Sequence, residues 1–308
     1  MTTAVVFGYH NVGERCLKVL LAHDVGVPLV VTHRDAPGEA IWFESVARTA
    51  ALYGLQAAAP EDPNAADFVA RIRALEPDFL FSFYYRLMLA PALLAIAPRG
   101  AFNMHGSLLP KYRGRAPVNW AILRGERETG ATLHEMVARP DAGRIVDQQP
   151  VPILPDDTAR EVMDKVTLAA EIVLDRSLPK LRDGTATLRE QDLVRGSYFG
   201  GRRPEDGEID WTRPAREVHD LVRAVAPPYP GAFADLGGKR LRILRTLNTG
   251  RDNMALTGPA LLAEAAELYL RCADGGLLRV LESEFDGAPL AAADLRSRFG
   301  ATVVPLLG

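Results

Sequence analysis

Short apolar runs alternate with helix-like stretches through the first hundred residues of this chain. The apolar runs are TAVVFGY at residues 3–9, VPLVVT at 27–32, DFLFSF at 78–83 and GAFNMH at 100–105, with a short strand at 56–59. Apolar residues at helical spacing fill the gaps, at 15–23, 41–53, 68–75 and 90–97. Strands that are apolar on both faces and separated by helices indicate βαβ units, which build a parallel sheet covered by helices.

The pattern changes after Trp120. Residues 132–137 and 144–151 predict a hairpin beyond the main sheet, and 158–181 and 216–224 predict helices. Short strand patterns then dominate, namely GAFADL, RLRILRTL, ELYLRCA and LLRVLES, while LLAEAAE and APLAAADL suit short helices or loops. We therefore expect a Rossmann-like α/β domain at residues 1–203 and a small β-rich domain, an OB-like barrel, at 204–308.

Composition restricts the partners of this chain. A net charge of −3 gives no general attraction to nucleic acid or to an anionic membrane. The start lacks the pattern of a signal peptide, and no apolar run approaches the roughly 18 residues of a membrane span, so we expect a cytoplasmic chain without membrane insertion. Cys16 and Cys272 show neither a disulfide framework nor metal-ligand spacing. The six histidines form no H-E-x-x-H cluster, so no metal is expected.

Two polar residues stand at the end of the strand at 100–105. Asn103 and His105 are two positions apart, so their side chains share one face at the carboxyl end of a parallel strand, where ligands bind in open α/β sheets. An amide can stabilise an oxyanion, and an imidazole can accept and return a proton near neutral pH. The pair suits acyl transfer to a nucleophile that the substrate brings. The alternative is that His105 only caps the strand through a backbone hydrogen bond.

The residues around this pair carry a family resemblance. NMHGSLLPKYRGRAP, followed by RPDAGRIV, resembles the signature of the folate-dependent formyltransferases. The resemblance implies that Asn103 stabilises the tetrahedral intermediate and that His105 moves the proton. It also implies that Asp141 orients the imidazole and favours its charged form. The implied formyl donor is 10-formyltetrahydrofolate, and neither the chemistry nor the resemblance requires a metal.

The same resemblance implies binding residues. The folate contacts would be Leu87, Met88, Leu89, Ala138, Arg139, Pro140 and Asp141. Arg115 is implied as a substrate contact, and Lys111, Arg113, Arg202 and Arg203 could also hold a pyrophosphate through their cationic groups. From charge alone, a solvated loop is favoured for Lys111, Arg113 and Arg115, whereas a basic linker suits Arg202 and Arg203 as well as a diphosphate contact does. Likewise, 87–89 suits plain core, Tyr84 and Tyr85 could pack on a ligand or on the protein, and Trp120 is interpreted as core.

One branch of the family is most similar. VVFGYHNVGERCL, THRDAPGE, FSFYYRLM and RAVAPPYPGAF resemble the formyltransferases of UDP-4-amino-4-deoxy-L-arabinose, which form half of a bifunctional enzyme of lipid A modification and polymyxin resistance. The dehydrogenase half has no counterpart in these 308 residues, so we expect a stand-alone enzyme that binds a sugar nucleotide and folate. Its oligomeric state, including a homodimer, stays open.

Four alternatives remain. Another UDP- or dTDP-linked amino sugar is the nearest. A methionyl-tRNA formyltransferase would need a basic insertion and a basic C-terminal domain, which this net acidic chain lacks. An NAD oxidoreductase is disfavoured because GYHNVG is neither G-x-G-x-x-G nor a P-loop. A non-catalytic binding protein would not be expected to keep Asn103, His105 and Asp141.

Overall fold

The computed structural model describes residues 1–36, 38 and 40–306. Pro37 and Glu39 of the THRDAPGE motif, and Leu307 and Gly308 at the end of the predicted second domain, lie outside the described residues. The chain divides into two units. The first unit comprises residues 1–117, 128–152 and 164–200, and the second comprises residues 118–127, 153–163 and 201–308.

The first unit follows the predicted alternation of strands and helices. Its opening elements are β1 (Thr3–Gly8), α1 (His10–Ala22), β2 (Gly26–Val31), α2 (Val46–Leu52), β3 (Ala57–Ala58), α3 (Ala66–Ala74), β4 (Phe79–Phe83), α4 (Pro91–Leu94) and β5 (Ala101–His105). Helix α1 buries Val12, Cys16 and Leu20, which recur every four residues. Every residue of β4 is buried, as its near-continuous apolar run predicts.

The strands and helices that next follow β5 are β6 (Arg113–Gly114), α5 (Pro117–Leu123), β7 (Glu128–Glu135), β8 (Ile145–Pro152), α6 (Ala159–Asp183) and β9 (Tyr198–Phe199). The main sheet has the order β3-β2-β1-β4-β5-β7-β8, in which β1 to β5 are parallel. The predicted parallel α/β fold is thus confirmed. The hairpin was predicted beyond the sheet, and that prediction is wrong, because β7 pairs antiparallel with β5 and β8 pairs with β7. The open backbone edge of β5 is satisfied by this pairing.

The second unit holds α7 (Ala215–Ala224), β10 (Ala232–Leu236), β11 (Lys239–Asp252), β12 (Ala260–Glu264), β13 (Glu267–Arg271), β14 (Gly276–Phe285), β15 (Ala288–Pro289), α8 (Asp294–Phe299) and β16 (Val303–Pro305). Its strands form an antiparallel sheet in the order β10-β11-β14-β13-β12-β16. The predicted small β-rich domain is confirmed. The stretch LLAEAAE, expected to be a helix or loop, instead contributes β12, because hairpin pairing with β13 overrides the weak preferences of Ala and Glu.

Candidate active site

Strand β5 carries Asn103 and His105 to the carboxyl end of the parallel sheet. His105 is 6 % exposed, and Asn103 is half-buried. The His105 Nε2 lies 2.8 Å from the carbonyl oxygen of Tyr112, which can only accept a hydrogen bond. Nε2 therefore carries a hydrogen, and the second ring nitrogen, Nδ1, is the one available for proton exchange. Nδ1 lies 3.6 Å from the Asp141 Oδ1.

Asp141 is held in place by its own backbone and by neighbours of the first unit. It has a positive φ of 50°, in a turn closed by Gln191, whose side-chain amide donates to the carbonyls of Asp141 (3.0 Å) and Gly143 (2.6 Å). The N–H of Gly114 donates to the Asp141 Oδ2 at 2.8 Å. A glycine is required at 143, because a Cβ there would lie 2.0 Å from the Glu135 carbonyl oxygen. The carboxylate is thus aimed at the imidazole by a tightly constrained loop.

The electrostatics favour an ionised carboxylate here. Burial by itself raises the pKa of Asp141, but the nearby imidazole of His105 and the hydrogen bond from the Gly114 N–H act against it. The pKa of Asp141 therefore lies well below its ordinary value. An anion that stays ionised in a buried site can stabilise positive charge on an adjacent imidazole.

A second histidine, His134 on β7, completes the cluster. It is 2 % exposed, and it lies opposite Asn103 in the β5–β7 pairing. Its Nδ1 lies 2.9 Å from the Glu135 carbonyl oxygen and must donate, so the Nε2 of the neutral ring is an acceptor. That Nε2 lies 3.0 Å from the Asn103 Nδ2 and 3.4 Å from the Asp141 Oδ1. An amide N–H given to His134 leaves Asn103 its second N–H for an oxyanion.

The segment after β5 is held by hydrogen bonds that the sequence did not reveal. Thr132 on β7 donates to the Ser107 carbonyl at 2.6 Å, and the Ser107 hydroxyl donates to the Lys111 carbonyl at 2.7 Å. The side chain of Gln148 donates to the Leu109 carbonyl at 2.9 Å. These bonds fix the path of the segment that brings the Tyr112 carbonyl to His105.

The residues predicted to meet folate lie in two loops of the first unit. After β4, Leu87 and Met88 are 40 % and 57 % exposed, whereas Leu89 is buried in the core. In the loop between β7 and β8, Ala138 and Arg139 are exposed, and Pro140 precedes Asp141. Exposed apolar side chains beside a strand end suit a flat aromatic ligand, and the folate contacts stay predictions.

Tyr84, Tyr85 and Trp120 each lie against another side chain or backbone group of the protein. Tyr85 stacks on His33 with ring centroids 4.1 Å apart, and the Tyr84 hydroxyl occupies the space that a Cβ at Gly106 would need. Trp120 was interpreted as core, and that interpretation is wrong, because it is only partly buried and the Arg202 guanidinium lies 5.0 Å from its ring centroid.

The predicted basic contacts differ in their surroundings. Lys111 and Arg115 are exposed, as a solvated loop would be, whereas Arg113 between them is 5 % exposed. In the second unit, Arg202 also donates to the Asp206 carbonyl at 2.7 Å, and Arg203 is exposed. The roles of Lys111, Arg115, Arg202 and Arg203 in substrate binding stay predictions.

The described residues also bear on a metal site and on a membrane span. No group of three or more His, Cys, Asp and Glu side chains there is arranged to hold a metal ion. None of the helices in residues 1–36, 38 and 40–306 is long and apolar enough to cross a membrane.

The chain belongs to the formyl transferase family. The family model described as Formyl transferase matches residues 4–178, and the one described as Formyl transferase, C-terminal domain, matches residues 202–299. The first match covers more than half of the chain and includes Asn103, His105 and Asp141. The protein is therefore a formyltransferase.

Solved structures share this fold. An N-formyltransferase from Helicobacter canadensis, in complex with folinic acid and dTDP-3-aminofucose, matches with a TM-score of 0.71 and 20 % identity, over 91 % of this chain and 99 % of that one. WlaRD, a sugar 3N-formyltransferase with dTDP and 5-N-formyl-THF, matches with a TM-score of 0.68 and 19 % identity, over 91 % of this chain and 97 % of that one. A sugar N-formyltransferase from Shewanella sp. FDAARGOS_354 matches with a TM-score of 0.62 and 19 % identity, over 79 % of this chain and 96 % of that one.

Sequence reasoning missed two groups of this site. His134 lies in ATLHEM, where alternation puts Thr132 and His134 on one strand face, but nothing in the sequence shows that β7 pairs with β5. Gln191 lies 50 residues beyond Asp141 in a segment without a motif, and no sequence signal could have found it.

Proposed function

We propose that this enzyme transfers a formyl group from 10-formyltetrahydrofolate to the 4-amine of UDP-4-amino-4-deoxy-L-arabinose. The observation that carries the proposal is the convergence of Asn103, His105 and Asp141 at the end of β5, within the HGSLLPKYRGRAP background. The Helicobacter and WlaRD structures, which contain folate derivatives with dTDP or a dTDP-amino sugar, support the donor class and the acceptor class. Lipid A modification, polymyxin resistance and a cytoplasmic location belong to the same proposal.

The site geometry accounts for the transfer of the formyl group. As the amine attacks the formyl carbon, negative charge develops on the formyl oxygen, and the Asn103 N–H not given to His134 stabilises it. The attacking amine loses a proton and the departing folate nitrogen gains one. His105 can carry that proton on Nδ1 while its Nε2–H stays bonded to the Tyr112 carbonyl. Asp141 keeps the ring oriented and stabilises the imidazolium.

The acceptor is tested by a panel assay. The whole protein is incubated with 10-formyltetrahydrofolate and, separately, UDP-4-amino-4-deoxy-L-arabinose, dTDP-linked 3- and 4-amino sugars, and methionyl initiator tRNA. Mass spectrometry detects the N-formyl product, and His105→Ala serves as the inactive control. We expect the UDP-amino-arabinose to be formylated with the highest kcat/KM. A higher kcat/KM for a dTDP-amino sugar would replace the acceptor, and formylation of the RNA but of no sugar would reject the sugar-nucleotide assignment.

A further inference from the structure

Arg113 is a buried arginine whose Nε has no hydrogen-bond partner among the described residues. Only 5 % of the residue is exposed, and its Nε is shielded from solvent. Among residues 1–36, 38 and 40–306, no carboxylate pairs with this guanidinium and no acceptor bonds its Nε. The neighbouring Lys111 and Arg115, which carry the same charge, are exposed.

A buried cation without a partner is costly to the fold. Arginine side chains are not deprotonated in proteins, so losing a proton is no way to avoid this cost. Buried charges in proteins are therefore normally paired with an opposite charge or bonded by several acceptors. A cation left unpaired inside the protein is best explained by an anion that arrives with a ligand.

The position of Arg113 links that anion to the candidate active site. The residue before it, Tyr112, presents its carbonyl to His105, and the residue after it, Gly114, gives its N–H to Asp141. Each of these neighbours is one Cα spacing of about 3.8 Å from Arg113. The Arg113 N–H is turned to the opposite side, where it donates to the Ser197 carbonyl at 3.0 Å. The backbone around Arg113 is therefore fixed on both sides by the site and by β9.

We propose that Arg113 binds an anionic oxygen group, a phosphate or a carboxylate, of a ligand that enters the His105–Asp141 site. Guanidinium groups bind both through paired N–H donors. This inference rests on the proposed function for its two sources of anion, the diphosphate of the sugar nucleotide and the terminal carboxylates of the folate. It makes Arg113, rather than the exposed Lys111 or Arg115, the principal anion-binding residue of this segment.

Calorimetric titration of the whole protein distinguishes the two sources. UDP and 5-formyltetrahydrofolate are titrated separately into the wild type, Arg113→Met, Arg113→Lys and the control Arg195→Met. The control removes the same charge from a side chain that is 86 % exposed. We expect Arg113→Met to weaken one of the two ligands by about thirtyfold or more, the loss typical when one partner of a buried charge pair is truncated. Arg113→Lys should lose less, and Arg195→Met should bind both ligands as the wild type does.

Thermal unfolding of the same variants separates this role from a structural one. Because the Nε makes no hydrogen bond among the described residues and Met keeps an unbranched apolar stem, Arg113→Met should melt at the wild-type temperature or above it. A large drop in melting temperature, or a variant that does not fold, would show structural partners and overturn the inference. So would wild-type affinity for both ligands in Arg113→Met and Arg113→Lys. If UDP-4-amino-4-deoxy-L-arabinose is not formylated in the acceptor panel while ligand binding still depends on Arg113, the proposed acceptor is wrong and the anion site is supported.

Discussion

The two units of this enzyme differ in how completely their buried polar groups are hydrogen-bonded. In the first unit, the Asp141 Oδ1 lies 3.6 Å from a ring nitrogen of His105 and 3.4 Å from one of His134, and the Arg113 Nε has no hydrogen-bond partner among the described residues. In the second unit, Arg271 is 4 % exposed yet donates to the carbonyls of Asn253, Gly258 and Cys272. Buried groups that the fold satisfies completely contribute to stability, whereas groups left partly unsatisfied are available to a ligand or a reaction.

The distribution of unsatisfied groups supports this contrast. Among the described residues, buried side-chain polar atoms without a hydrogen-bond partner include Tyr85 Oη, Arg113 Nε, Thr129 Oγ1 and Gln191 Oε1, all in the first unit, and none lies in the second unit. In the second unit, His219 is bonded through both ring nitrogens, to Thr246 and Pro155, and Arg223 pairs with Asp220. The following predictions test whether the contrast reflects function in one unit and stability in the other.

The largest expected effect is on catalysis in the first unit. His105→Ala removes the proton carrier, and Asp141→Asn removes the charge that stabilises it, so each should lower kcat by about 10²–10⁴-fold. The far-ultraviolet circular dichroism of both variants and the folate affinity of His105→Ala should stay those of the wild type. Steady-state formyl-transfer kinetics measure the loss, and a rate within threefold of wild type for either variant would contradict the roles given to the cluster.

The matching change in the second unit should affect stability instead. Arg223→Met leaves the Asp220 carboxylate buried without its partner, which should cost about 3–5 kcal/mol of unfolding free energy. Urea denaturation measures the loss, while kcat below the unfolding transition should stay within twofold of wild type. The double variant Asp220→Asn with Arg223→Met removes both charges and should regain most of the stability. A double variant as unstable as the single one would show that the pair is not the cause.

A smaller effect is expected at His134, which acts through Asn103. His134→Leu removes the acceptor that orients the amide, so kcat should fall about tenfold, less than the 10²–10³-fold typical when an oxyanion donor is deleted outright. The KM for both substrates should change little. His134→Gln restores an acceptor at a similar distance along the side chain and should recover part of the rate. Equal rates for the Leu and Gln variants would show that His134 does not act by accepting from Asn103.

The smallest effects concern pH, and they should differ between the units. Burial lowers the pKa of His219 in the folded protein below its ordinary 6.5. Between the pKa of the folded protein and that of the unfolded chain, the unfolded chain therefore binds more protons than the folded one. The second unit should thus lose stability as the pH falls through about 6.5. The pKa of Asp141 is also lowered, so its stabilising contribution is complete above the ordinary carboxyl value of about 4 and is lost only below it.

Hydrogen exchange at pH 7.5 and 5.5, corrected for intrinsic rates, can separate the pH range in which His219 acts from the lower range in which Asp141 acts. Peptides covering α7 and β11 should lose protection at the lower pH, while those covering β5 and β7 should keep theirs. In His219→Gln, which has no titrating group at this position, the loss around α7 should be smaller. An unchanged pH response in that variant would assign the effect to another group.

Much of this architecture could be predicted from local patterns. The near-continuous apolar run of β4 and the four-residue spacing in α1 predicted the parallel sheet and its helices, because burial on both faces leaves few other arrangements. Period-two alternation placed Asn103 and His105 on one face. The short strands after residue 204 predicted a β-rich second unit, although LLAEAAE was misassigned because hairpin pairing, not propensity, decides weak sequences.

Only the tertiary structure decided the partners of these residues. It set β7 beside β5, which brought His134 within 3.0 Å of Asn103, and it closed the Asp141 turn with Gln191 from 50 residues away. It also buried Arg113 while leaving Lys111 and Arg115 in solvent, although the three look alike in sequence. The physical reason is range: periodicity and residue type act over a few positions, whereas burial and hydrogen-bond pairing depend on segments that meet only when the chain has folded.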